Sequence, residues 1–340
     1  MAALQQLHDL ASFAVPADIL VAFYQNDLSR LIVNVTANPT SFYRAADPLV
    51  SGTVIVAAVS FACWFVSVLA RNYSQVDRLW SILPPFYIWH FALHDYLNGT
   101  GGLSPRLVLI ALLTSAWGSR LTYNFARKGG YRWHDQDYRW PYLRKYLGLV
   151  LFQLLNITFI APTQNILLFL ITSPAYVAYQ TRHLNPSLNA LDFFAAALFL
   201  ALLAGEALAD QQQWAFQTRK YTLIGQKAKL TGDYARGFLS ESGLWKYSRH
   251  PNFFCETSLW WAVYLFSVSA TGTQGLGGFD GRWVNWSAVG TVLLTSLFQA
   301  STWFTEFISA QKYLAYKEYQ QRVSRIIPMP SAAPKVTKQE

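Results

Sequence analysis

One segment concentrates residue types capable of chemistry: Gly243-Leu244-Trp245-Lys246-Tyr247-Ser248-Arg249-His250-Pro251-Asn252-Phe253-Phe254-Cys255-Glu256. Pro251 suits the first turn of a helix, where its missing N–H costs nothing. Asn252 and Glu256 then fall one turn apart on a shared face. Arg249 and His250 sit just outside that first turn. Basic and amide donors at a helix N-terminus are suited to phosphate or carboxylate groups. A basic anchor beside a membrane would also use Arg249 and His250, but it leaves Glu256 unexplained, because an apolar run follows it.

Two further stretches frame this segment. Glu206, Asp210, Gln213 and Gln217 recur at spacings of three and four, a polar helical stripe leading to Arg219 and Lys220. Near the C-terminus come Glu306, Lys312-Tyr313, Tyr316-Lys317, Tyr319, Arg322 and Arg325. Tyrosines and cations at that spacing can stack on an aromatic ring and hold a phosphate; a basic helix lying on anionic lipid has the same pattern. Earlier, Gln75-Val76-Asp77-Arg78-Leu79-Trp80 offers an acid at a helix mouth. Asp77 is either a proton donor raised by burial or a helix N-terminal acid paired with a nearby Arg. Tyr123 is a second proton-donor candidate. Asn156, Gln164 and Asn165 are amides inside an apolar run, where they either serve a ligand or tie helices together.

The elements that position these residues follow from hydropathy. Apolar residues make up 53% of the 340, and charged residues only 13%, about half the usual share for a soluble domain. A helix needs about 20 apolar residues to cross a bilayer core. Seven stretches approach that length: 49–70, 79–97, 107–125, 147–172 with a kink near Pro162, 189–208, 257–272 and 283–305. The second holds His90, His94 and Asp95. None alternates as a barrel strand must. The expectation is an all-α bundle of about seven spans over 49–328, with a cofactor region at about 206–328. Residues 1–48 form a partly interfacial extension, and 329–340 a disordered tail. With seven spans, 22 of the 27 Lys and Arg residues fall on one side, which the positive-inside rule assigns, with the C-terminus, to the cytosol.

That placement, at helix ends, accounts for the net charge of +9 without nucleic acid. Two cysteines, Cys63 and Cys255, lie in apolar runs with no CxxC or Cys/His cluster, so neither a disulfide framework nor a metal site is indicated. No Walker loop, HExxH or GxGxxG is present. Expected partners are membrane lipids.

The segment GLWKYSRHPNFFCE at 243–256 resembles the C-terminal signature of the steroid 5-alpha-reductase-like membrane oxidoreductases, in particular their DUF1295 branch. QVDRLWSILP at 75–84, YRWHDQDYRW at 131–140, ADQQQWAFQ at 209–217 and YKEYQQRVSRIIP at 316–328 support it. The resemblance implies a seven-helix bundle in the endoplasmic reticulum, binding NADPH from the cytosol and reducing a carbon–carbon double bond in a sterol-like or other lipid substrate. It implies that Asp210, Arg249, His250, Asn252, Glu256, Tyr316, Tyr319 and Arg322 lie near the cofactor; Lys220, ending the stripe, joins them. It likens Asp77 and Tyr123 to the substrate-side acid and tyrosine of steroid reductases. Two departures bear on the substrate: Asp77 stands where those enzymes have Glu, and Gln217 where they have Arg. The RHP core and the following Glu are shared with S-adenosylmethionine-dependent lipid and isoprenylcysteine methyltransferases, the alternative reading. A non-catalytic lipid-binding protein on this fold is the third.

Overall fold

A computed structural model describes residues 2–99, 102–273 and 280–332. Among these residues the secondary structure is helical, with no strand beyond one isolated bridge, Ser248 to Ser324. The helices run, in order, α1 (Ala2–Leu10), α2 (Ala14–Asn26), α3 (Leu31–Ala37), α4 (Pro39–Ala45), α5 (Pro48–Ala70), α6 (Gln75–Leu79), α7 (Leu83–Asn98) and α8 (Pro105–Arg127). They continue with α9 (Arg139–Leu155), α10 (Gln164–Leu170), α11 (Ser173–Thr181), α12 (Ala190–Gly225), α13 (Gly232–Arg236), α14 (Pro251–Ala270), α15 (Ala288–Lys312) and α16 (Tyr316–Arg322).

Three helical stretches are long and apolar enough to cross a membrane: Pro48–Ala70, Arg139–Thr181 and Ala190–Gly225. The pair α1 and α2, bent by 59°, qualifies as a fourth if taken together. The chain therefore has the character of an integral membrane protein. The expected count of seven is not reached by length and composition. Helices do form at the other four places, but α7 is short, with 16 residues, and carries His90, His94 and Asp95. The others, α8, α14 and α15, mix polar residues into their apolar runs.

Local chemistry explains the boundaries. Asp47 caps α5 by accepting from the Leu49 amide at 2.8 Å, and Pro48 occupies the first turn. The helix ends where Arg71 turns left-handed at φ 50°. The long apolar run after Arg139 is irregular at two places. Gly148, at φ 72°, breaks α9, a position only glycine adopts cheaply. Pro162 lies inside a π-helical stretch, Asn156–Thr163, where its missing N–H and its ring disrupt the ordinary ladder. The irregularity at Pro162 is this π-helical stretch, and the break at Gly148 is an addition.

The described chain divides into two compact units, Met1–Ala197 with Ala262–Leu293, and Leu198–Trp261 with Leu294–Glu340. In the first, α7 packs closely on α8, and Gly118 brings α8 against the Ser81 carbonyl. Arg106 and Asp192 are both buried and form a two-point ion pair at 2.9 and 3.0 Å. The remaining Arg106 donors reach the carbonyls of Asn185 (2.8 Å) and Ser187 (2.7 Å). One guanidinium therefore ties the start of α8 to the loop entering α12. The amides Asn156 and Asn165 are buried and serve helix contacts: Asn156 exchanges hydrogen bonds with Ser67, and Asn165 donates to the Ala161 carbonyl.

The second unit contains most of α12, the first part of α14, most of α15, and α16. Its core includes Phe238, Tyr316, Tyr319 and Val323. The tail expected to be disordered from 329 remains bonded at first: Met329 donates to the Tyr247 carbonyl and Ala332 to that of Arg322, both at 2.9 Å. Residues 333–340 lie outside the described residues.

Removing one partner of a buried pair strands the other charge, at a cost of about 3–5 kcal/mol. Arg106→Leu should accordingly lower the unfolding temperature sharply, whereas Arg106→Leu with Asp192→Leu should recover most of the loss. Thermal unfolding in lipid nanodiscs measures both.

Candidate functional site

In the second unit, the RHPN segment is held from two directions. From the N-terminal side, Gln212 on α12 accepts from the Leu244 amide at 2.9 Å, and Trp245 donates its indole N–H to the Ala209 carbonyl at 3.3 Å. Gly243 adopts φ 61° where its missing side chain lets Gln212 approach. From the C-terminal side, Ser248 Oγ donates to the Ile326 carbonyl at 2.7 Å, and Arg249 N–H to that of Ser324 at 2.9 Å. Tyr319 donates its hydroxyl to the Trp245 carbonyl at 2.6 Å.

Glu306, on α15, is the hub of this arrangement. Arg249 donates to both of its oxygens, from Nε at 2.6 Å and Nη2 at 3.0 Å. His250 Nε2 lies 3.1 Å from Oε1, and Gln320 donates to Oε2 at 3.0 Å. Arg249 Nη1 reaches the carbonyls of Gln320, at 2.9 Å, and Val323. Burial alone would raise the Glu306 carboxyl. Hydrogen bonds from His250, Arg249 and Gln320, with the Arg249 charge, override it and hold the group down to about 2. Arg249 and His250 are therefore committed to Glu306 and to the C-terminal backbone. They brace the start of α14 against α15 and the C-terminal segment.

The residues beyond the brace are differently situated. Asn252, in the first turn of α14, points Nδ2 at Asp210 Oδ1 on α12, 3.5 Å away. Its Oδ1 is buried and has no hydrogen-bond partner among the described residues. Glu256, one turn on, is buried and accepts from the Trp260 indole at 3.0 Å. Lys220 is almost fully buried. It donates to the Gly237 carbonyl at 3.0 Å and lies within 6 Å of the rings of Phe216, Tyr221 and Tyr313. Tyr313 can pack there because Gly237 has no side chain and adopts φ 92°. Tyr316 and Tyr319 are core residues of this unit, and burial pushes the Tyr319 phenol up. Arg322 is paired loosely with Glu318 at 3.6 Å. All nine residues expected near a cofactor thus belong to one compact unit, and Asp210 meets Asn252 directly.

The two proton-donor candidates lie in the other unit. Asp77, on α6, is half-buried and accepts from the Trp140 indole at 2.9 Å. Burial raises its carboxyl above the ordinary range, against the opposing pull of Arg139. Trp140 is itself packed with Tyr73, Phe152 and Ile160. Tyr123 is exposed, with the Arg127 guanidinium over its ring at 5.4 Å. Among the described residues, no group of three His, Cys, Asp or Glu side chains is placed to hold a metal, and the two buried cysteines form no disulfide.

Residues 63–323 match the family model described as a protein of unknown function, DUF1295. The chain belongs to the DUF1295 family. That family is the steroid 5-alpha-reductase-like branch which the RHPN segment resembles, and the match spans every candidate site residue. This DUF1295 chain is also 35% identical, over 326 residues, to an uncharacterized protein of Schizosaccharomyces pombe, covering 94% of this chain and 91% of the relative. No solved structure matches.

From the sequence Glu306 only opens the C-terminal polar stretch, with no role of its own. Its signal was available: a lone carboxylate directly after an apolar run, facing a basic tail. The Gln212 contact had no comparable signal, since a glutamine in a polar stripe specifies no partner.

If the Glu306 hub holds the DUF1295 signature together, Glu306→Gln should loosen 316–329 and cost about 3–5 kcal/mol, read as faster amide exchange in that segment. A carboxyl held below its ordinary value stabilises the fold while it stays ionised. Its contribution is full above about 4.5, the ordinary value, and is lost as pH falls toward about 2. Exchange at 316–329 should rise over that window in the wild type and stay level in the Gln variant.

Proposed function

We propose that this protein is a membrane-embedded, NADPH-dependent reductase of a carbon–carbon double bond in a steroid or other lipid. The observation that supports it best is Asn252. A buried amide oxygen without a partner, beside Asp210 and at the start of the signature helix, is costly unless a ligand completes it. The donor set suits a dinucleotide. Asn252 and Asp210 offer amide and carboxylate groups for amide or hydroxyl partners. Lys220 and Arg322 supply cations for phosphate, and Lys220 makes no ion pair among the described residues. Arg249 and His250 act as positioning residues through Glu306, and Tyr316 and Tyr319 through the core they share.

NADPH, when bound, supplies a hydride to the β-carbon of an enone. Negative charge then develops on the carbonyl oxygen, and a placed proton donor stabilises it. Asp77 or Tyr123 fills that role in this reading. The raised carboxyl of Asp77 favours the protonated form a donor needs. Seven spans, residence in the endoplasmic reticulum and a cytosolic C-terminus belong to the same proposal. The orientation rests on the basic residues gathered at one set of helix ends, and the organelle on the family resemblance.

The RHP core and Glu256 are equally compatible with an S-adenosylmethionine-dependent methyltransferase. The stretches around Asp77 and from Asp210 to Gln217 favour the reductase.

Purified protein in nanodiscs, given NADPH tritiated at the transferable position and a panel of enone sterols, should transfer label to product. Asn252→Ala should reduce the rate by roughly tenfold or more, as expected when a buried hydrogen-bonding group is removed. Absence of NADPH binding, or methyl transfer from S-adenosylmethionine instead, would refute the reductase assignment.

A further inference from the structure

A cavity of about 560 Å³ opens in the first unit, lined entirely by residues between Ile19 and Val50. All of them precede residue 63, where the family match begins. The volume lies within the usual range for small-molecule sites. Its walls are mixed: Phe23, Phe42 and Val50 are apolar, whereas Asn34, Asp27 and Asp47 are polar. No Lys, Arg or His lines it. Phosphate, sulfate and carboxylate heads are therefore disfavoured, since nothing in the lining would offset their charge.

The floor of this cavity is built with care for one carboxylate. Asp47 Oδ1 accepts from the Leu49 amide at 2.8 Å and from the Tyr176 hydroxyl at 2.9 Å. Its Oδ2 is hydrogen-bonded to nothing among the described residues. The backbone on either side of Asp47 is clamped by two histidines. His94 Nε2 meets the Ala46 carbonyl at 3.0 Å, and His90 Nε2 meets the Pro48 carbonyl at 2.9 Å. A carbonyl only accepts, so each Nε2 carries the proton. Each Nδ1 is then free to accept from a tyrosine, Tyr179 for His94 and Tyr43 for His90, both at 2.9 Å. The cations nearby are committed elsewhere: Arg182 to Asp95 at 2.5 Å, and Arg44 to the Leu97 carbonyl at 2.6 Å.

We propose that this cavity binds an amphiphile with an apolar chain and a cationic amine head, the ammonium seated on Asp47 Oδ2 and the chain against Phe23, Phe42 and Val50. A carboxylate fixed in position before binding loses little freedom when a cation arrives, and the apolar wall contributes by removing the chain from water. The site owes nothing to the RHPN segment and stands apart from the reductase reading.

The probe is a dodecylamine bearing a chain diazirine, photolysed with the full-length protein in phosphatidylcholine nanodiscs and mapped by peptide mass spectrometry. Labelling should be saturable, fall on residues 19–50, and be competed by plain dodecylamine but not by dodecyl sulfate. Asp47→Asn keeps the Oδ1 acceptor and hence the fold, and should reduce labelling by about tenfold or more through loss of the charge pair. Ala22→Phe, which fills the cavity, should reduce it independently. Labelling spread over the helices, unchanged in Asp47→Asn, or competed equally by dodecyl sulfate would overturn the proposal.

Discussion

Glu306 sits almost out of reach of solvent with Arg249 across both oxygens, His250 and Gln320 on its flanks. An ionised carboxylate in that position is tolerable only because its lone pairs are nearly all used. The same guanidinium reaches the carbonyls of Gln320 and Val323, so the pair does more than balance charge. It fixes where the chain after α16 returns to the start of α14. Without it, Ser248, Arg249 and Tyr319 would lose the geometry that lets them bond to the C-terminal segment and to Trp245. The orientation of Asn252 toward Asp210 depends on that fixed start.

The first unit solves a related problem by the same means. Its buried cation, Arg106, is matched by Asp192 and by two carbonyls, and its buried histidines each bridge a tyrosine and a backbone carbonyl. Polar groups in an apolar bundle are thus gathered into closed sets, each stabilising a junction: the entry to α12, the elbow before α5, the start of α14. Asn252 Oδ1 in one unit and Asp47 Oδ2 in the other are among the polar atoms left open within such a frame, and the two proposals rest on them.

Much of this was legible in the sequence, for identifiable reasons. The helix at 48–70 was bounded to within a residue because hydropathy, Asp47-Pro48 and Arg71 all agree. The polar stripe from Glu206 to Gln217 was read correctly as a continuation of an apolar helix, since its 3–4 spacing persists across the change in polarity. Pro251 marked the start of α14, and the signature around it named the family. Other features were hidden. The bend at Gly148 depends on a backbone angle that a single glycine does not announce. Length and composition alone mark three or four spans, since runs such as 79–97 carry His90, His94 and Asp95, the partners of Tyr43, Tyr179 and Arg182. The carboxylate that Arg249 and His250 meet, 57 and 56 positions away, is not announced by residue type alone.

Coupling between the Glu306 brace and cofactor affinity is the point on which the account turns. A double-mutant cycle on Arg249 and Glu306, read by titration calorimetry with NADPH in nanodiscs, measures it. The account predicts that Arg249→Gln and Glu306→Gln each weaken NADPH binding and that the double variant is no weaker than either single one. Binding of NADPH unaffected by all three, in protein shown to retain its fold, would contradict it.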